Sequence, residues 1–193
     1  MNTPFPVRQD GKFSVEEFFA LIESRPEEKR WQLIDGEAMR MPMPTLVHQR
    51  IASNLAYALN THFRDQRPQL CACFSVGLLV PEAELFRPWA DVAVLDAMAD
   101  YESYANKFYF VAEVLSDSNT DKDIAVKRQR YLQHPDNLYF VLIEQKQVRL
   151  EVFARATGWQ PITLEGLEAT LALPEFGFTT EIANLYRGTP LSG

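Results

Sequence analysis

The sequence predicts an α/β protein with one mixed sheet and helices packed on it. Three observations predict it. Apolar runs of strand length recur at 89–95, 108–115 and 138–143. Helical periods lie between and before them. Val47, Ile51, Leu55, Leu59 and Phe63 fall on one stripe, and Asp123, Lys127 and Tyr131 recur every fourth residue. Finally, Asp35-Gly36 sits between two short strand-like runs, which is a favoured two-residue hairpin turn.

The chain has 193 residues, which suits one domain with a sizeable core. We expect a flexible arm over 1–12, a single domain over 13–187 and a short tail over 188–193. Hydrophobic residues make up 47% and charged residues 23%, as in ordinary soluble globular proteins. No apolar run approaches a membrane span, and the N-terminus lacks a basic-then-apolar signal. The expectation is a cytoplasmic protein. The two cysteines, Cys71 and Cys73, stand two apart in a strand-like run. They share a sheet face and cannot readily bridge. A net charge of −7 argues against an extended nucleic-acid surface but allows a local basic cleft. It also suits a site where carboxylates gather around a divalent cation.

In chain order, Ser14-Val15-Glu16-Glu17 is a capping-box sequence, and Phe18, Phe19 and Ile22 follow, so a short helix starts there. A helical turn is expected over 26–29. The hairpin spans 31–41, and Pro42 and Pro44 end it. Thr45 caps a helix reaching about Asp65. A β-rich run covers 70–80, and 81–88 is a polar excursion. The strand 89–95 is interrupted by one acid, Asp91. A loop or short helix covers 96–106. The strand 108–115 is also interrupted by one acid, Glu113. A helix over about 121–133 follows, stopped by His134-Pro135. The strand 138–143 pairs back with 148–154. The run 158–164 is an edge strand, because Pro161 lacks a ladder donor. An extended segment over 171–178 and a helix opened by Thr180 close the chain.

Asp91 and Glu113 carry the chemistry. A carboxylate inside an apolar strand costs several kcal/mol unless something compensates it. If the strands are neighbours, the two acids meet and need a cation between them. Magnesium is one answer, a hard ion that takes oxygen ligands and keeps waters. A buried salt bridge from each acid to an arginine is the other. Lys127 stabilises charge at a phosphate, helps deprotonate a metal-bound water or forms an exposed pair with Asp123. The short loop over 116–119 lets its long stem reach back toward the two carboxylates. Asp123 has a structural reading as the acid of a capping box begun by Thr120. Tyr131 reads as core packing, Glu37 as a solvated strand residue, and His48 as a surface or capping histidine. Phosphate-cradling glycine loops and nucleophile-elbow motifs are absent from the sequence.

At these residues the chain resembles a bacterial family of Uma-type putative restriction endonucleases, once catalogued as a domain of unknown function. That family is placed in the PD-(D/E)XK nuclease superfamily. The likeness runs from Phe13 to Tyr186. It rests on Leu33-Ile34-Asp35-Gly36-Glu37, Pro44 with His48-Gln49, Ala90-Asp91-Val92, Val111 to Ser116, the Asp123/Lys127/Tyr131 steps and Leu173-Pro174. The resemblance implies a restriction-endonuclease-like core with flanking helices and metal-dependent hydrolysis of DNA phosphodiesters. It implies that Asp91 and Glu113 bind Mg2+ or Mn2+ and that Lys127 completes the catalytic set. Glu37 looks like the family's recurrent early acid and a supporting group. His48, Asp123 and Tyr131 are further supporting candidates, and the Val114 carbonyl is available to the metal as well.

A homodimer is expected, because two sites related by a two-fold axis can cut both strands of a duplex. The resemblance points the same way, and the hairpin or exposed Trp31 and Trp159 would supply the interface. The chain departs from the family pattern at Gln32, Ala90 and Asp117. The superfamily's in-strand lysine would fall at Leu115. A non-catalytic binding or scaffold protein on the same fold is the alternative. Glu113→Gln is expected to stabilise the metal-free protein by relieving repulsion between facing carboxylates.

Overall fold

The computed structural model describes residues 11–25, 31–81, 83–98, 104–117 and 119–193. Most of the expected arm and the turn over 26–29 lie outside them. The first helix, α1 (Val15–Glu23), begins as its sequence dictates. The Ser14 hydroxyl accepts from the Glu17 amide (3.1 Å), and the Glu17 carboxylate accepts from the Ser14 amide (2.7 Å). The hairpin β1 (Trp31–Ile34) and β2 (Glu37–Arg40) turns through Asp35 and Gly36, at φ 49° and 82°. Both torsions are positive, as a turn matched to strand twist requires. A Cβ on Gly36 would lie 2.8 Å from the Lys12 Cβ. Gly36→Ala is therefore expected to lower stability by more than about 1 kcal/mol, measurable by urea denaturation.

The main sheet has seven strands among the described residues, in the order β5-β3-β4-β6-β7-β8-β9. They are β3 (Leu70–Leu78), β4 (Trp89–Asp96), β5 (Tyr104–Ala105), β6 (Phe110–Leu115), β7 (Tyr139–Glu144), β8 (Arg149–Ala154) and β9 (Pro161–Glu165). Only β3/β5 and β6/β7 pair in parallel, so the sheet is mixed as expected. The proline-led β9 is an edge strand.

Strand alternation divides the core in two. Helix α2 (Leu46–Gln66) lays Ile51, Leu55, Leu59 and Phe63 on Val92, Val94, Ala112, Val114 and Val141. Helix α3 (Asp121–Gln133) sends Tyr131 to the other cluster, which holds Ala93, Leu95, Val111, Phe140 and Leu142. Full burial of each large aliphatic chain contributes roughly 1.5–3 kcal/mol. Residues with the parity of Val111 face α3, and Glu113 is one of them.

Several details differ from expectation. The run 171–178 is broken. Pro174 starts a short 3-10 turn, Gly177 ends it at φ 67°, and β10 (Thr170–Leu173) pairs with β11 (Phe178–Glu181) as a separate sheet. Thr180 lies within β11, so the last helix, α4 (Ile182–Tyr186), starts later than expected and has no side-chain cap. The loop after β4 contains the two-residue β5. Trp31 and Trp159 are half-buried, with Arg25 and Arg155 over their rings. Neither is the exposed interface aromatic that was expected.

The cysteines are unbridged, with Sγ atoms 3.7 Å apart. Hydrogen bonding from Cys71 pulls the Cys73 thiol down to about 7, against the opposing effect of burial. The same bond, with burial, pushes Cys71 up. Near neutral pH, iodoacetamide should label Cys73 before Cys71, as peptide mapping of a partial reaction will show.

Candidate active site

The site begins with sheet register. β4 and β6 are antiparallel, with Val92 opposite Ala112 and Ala93 opposite Val111. One step further, the register sets Asp91 opposite Glu113. Glu113 shares the parity of Val111 and turns to α3. Asp91, just past the last paired residues, instead reaches the Val114 amide of β6 and His48 of α2. The neighbouring strands that the acids required are therefore present.

Glu113 is 4% exposed and Lys127 is 2% exposed. The Lys127 Nζ donates to Glu113 Oε1 at 3.0 Å and to Oε2 at 2.9 Å. It also donates to the Trp89 carbonyl at 3.2 Å. The Tyr131 hydroxyl donates to Glu113 Oε1 at 3.0 Å. The four-residue period of α3 creates this arrangement by putting Asp123, Lys127 and Tyr131 on one buried stripe. The helix is started by Thr120, whose Oγ1 accepts from the Asp123 amide (3.1 Å) and donates to Asp123 Oδ2 (2.6 Å). Asp123 thus serves the helix start, through the Thr120 hydroxyl rather than its amide.

Asp91 is held differently. Its Oδ2 accepts from the Val114 amide at 2.7 Å and lies 3.0 Å from His48 Nε2. Both partners of that last contact are largely covered, at 12% and 15% side-chain exposure. Burial pushes the Glu113 carboxyl up, to about 7, and the Asp91 charge adds to the rise. Lys127 and the Tyr131 hydroxyl oppose it. Burial first, then the Glu113 charge, raises the Tyr131 hydroxyl well above its ordinary value.

The structure thus joins Glu113, Lys127 and Tyr131 directly, with Asp91 tied to the neighbouring Val114 amide and to His48. The expected arginine partners are replaced by Lys127 and His48. The exposed Asp123–Lys127 pair does not form, because the lysine turns inward. Glu37 is exposed and pairs with Lys122 at 3.1 Å, with no hydrogen bond to either acid. Val114 meets Asp91 through its amide.

Three contacts escaped the sequence: His48 on Asp91, the Val114 amide and the Trp89 carbonyl. The first spans 43 residues, and the other two are backbone groups, invisible to residue type.

The donor set fits a hydrated hard cation. Glu113 Oε1 takes two hydrogen bonds and Oε2 one, so Oε2 keeps a lone pair. Asp91 Oδ1 has no hydrogen bond among the described residues. Those residues contain no group of three His, Cys, Asp or Glu side chains able to hold a metal. Water and backbone oxygen would complete the shell, which is how magnesium is commonly bound.

An open mixed sheet with flanking helices, and acids on two adjacent strands, one meeting α2 and the other α3, is a restriction-endonuclease-like nuclease fold. The chain belongs to the Uma2 family, described as "Putative restriction endonuclease", which matches residues 15–183. It is similar in fold to a putative nuclease belonging to DUF820 from Anabaena variabilis ATCC 29413. That likeness has a TM-score of 0.74 and 17% identity, and it covers 90% of this chain and 97% of the other. No curated protein matches the chain. No helix among the described residues is long and apolar enough to cross a membrane.

Proposed function

We propose that the protein is a metal-dependent DNA endonuclease using Asp91, Glu113 and Lys127. One observation carries this reading: two acids stand on adjacent strands, Asp91 bonded to the Val114 amide next to Glu113, with an ammonium within 3.0 Å of Glu113. Mg2+ or Mn2+, held by Asp91 Oδ1, Glu113 Oε2 and the Val114 carbonyl, would supply positive charge at the phosphate and a more acidic water. Asp91, fixed by the Val114 amide, presents one oxygen. Glu113 orients the Lys127 ammonium, whose three donors go to Glu113 Oε1, Oε2 and the Trp89 carbonyl, so it would meet a phosphoryl oxygen by releasing one of them. Hydrolysis adds hydroxide to phosphorus and returns a proton to the departing sugar oxygen. Tyr131 fixes the Glu113 carboxylate without touching substrate. A divalent-metal titration followed by plasmid nicking tests the reading. Nicking that appears with Mg2+ or Mn2+ and vanishes with chelator supports it, whereas an intact plasmid at every metal concentration overturns it.

The same proposal includes a two-fold dimer, which would bring one site to each strand of a duplex. Light scattering that gives a single-chain mass at all concentrations would contradict that part. The scaffold reading has one observation in its favour. Glu113 and Lys127 are closed off from solvent and satisfy each other, as a structural ion pair would. Plasmid nicking by the purified protein separates the two readings.

A further inference from the structure

We infer that His48 is a positioning residue that leaves Asp91 a single oxygen, Oδ1, for the cation. The inference rests on the nuclease reading above. Asp91 Oδ2 lies 3.0 Å from His48 Nε2 and accepts from the Val114 amide at 2.7 Å. With two donors on Oδ2 and none on Oδ1 among the described residues, the carboxylate can neither rotate nor swap oxygens without losing both bonds. The result is a one-oxygen grip, the mode that suits a small, strongly hydrated cation.

The support for His48 is rigid. It sits in the first turn of α2, where its own amide donates to Thr45 Oγ1 at 3.1 Å. One and two turns further on, fully buried Ile51 and Leu55 anchor the helix to the sheet. That first turn carries no acid of its own. Its positive dipole end therefore meets the Asp91 charge through His48. The ring is 12% exposed, so little water competes for the bond. Groups that orient a ligating carboxylate in this way typically change metal affinity about 10–100-fold when removed.

The test uses the whole chain and Mn2+ alone, read as the metal concentration that half-saturates the rise in melting temperature. His48→Ala should weaken Mn2+ affinity about 10–100-fold. His48→Gln places an amide N–H where Nε2 was and should recover affinity to within a few-fold of the original protein. The same order should appear in plasmid nicking as a higher metal requirement, with the rate at saturating Mn2+ much less affected. An original protein whose melting does not respond to Mn2+ overturns this inference and the nuclease reading together. A clear response that His48→Ala leaves unchanged, or a His48→Gln protein as weak as His48→Ala, overturns the positioning role alone.

Discussion

Replacing Glu113 by glutamine is expected to destabilise the metal-free protein by about 3–5 kcal/mol. The two strand acids alone argue the opposite, since facing carboxylates repel. The structure reverses the sign because Lys127, at 2.9 Å, is the nearer and stronger neighbour. Glutamine leaves a buried ammonium without its counter-charge. For an ordinary lysine, shedding the proton at pH 7 costs about 4–5 kcal/mol, which sets a ceiling on the loss. Lys127→Met strands the carboxylate instead. An ordinary glutamate takes up a proton at pH 7 for about 4 kcal/mol, so that loss is similar.

The two variants should separate with pH. The Glu113→Gln loss should shrink as pH rises toward the lysine range, and the Lys127→Met loss should shrink as pH falls toward the carboxylate range. Glu113 contributes to the same trend in the original protein. Its carboxyl is raised from 4.5 to about 7, so the stability it adds is complete below 4.5 and lost as pH rises through 7. The double variant Glu113→Gln/Lys127→Met removes both charges and should recover most of either loss. Urea denaturation at about pH 5, 7 and 9 measures all three. A Glu113→Gln protein as stable as the original would mean that the ion pair contributes nothing.

The residues at the centre of the site were legible because burial is costly for charge. Asp91 and Glu113 stood out as acids inside apolar runs, and the Asp123/Lys127/Tyr131 stripe followed from helical period. The hairpin was equally legible from Asp35-Gly36. That the stripe turns to Glu113 was legible only through the short loop after β6, which starts α3 near the strand end. Lys127 has Asp123 four residues away and Glu113 fourteen residues away, and only the crossing of α3 over β6 decides between them. Local spacing alone favours Asp123, but the short loop and the desolvated carboxylate favour Glu113, and Glu113 won. His48 was not legible. Its ring and its amide do different jobs, and the helix start explains only the amide. The separate β10/β11 sheet was hidden because Pro174 and Gly177 interrupt a run whose apolar residues alone read as continuous.

Asp91→Asn should slow metal-dependent plasmid nicking by about 10²–10³-fold or more, the scale of losing a group that fixes charge in the transition state. The substitution changes little else. Asparagine keeps a carbonyl oxygen for the Val114 amide and His48, so the tie between β4 and β6 survives. The apo protein should lose only about 1–2 kcal/mol, the difference between hydrogen bonds to a charged and a neutral acceptor. Large loss of rate with small loss of stability is the signature of a ligand rather than a prop. Glu113 cannot give so clean an answer, because replacing it also unpairs Lys127. The Mn2+-dependent rise in melting temperature should disappear with the rate, since only the folded chain brings Asp91 Oδ1 to Glu113. Should Asp91→Asn nick plasmid at the original rate, Asp91 holds no catalytic metal. The two strand acids would then be a structural device, with Lys127 neutralising Glu113 and His48 neutralising Asp91, and the fold would be serving a function other than cleavage.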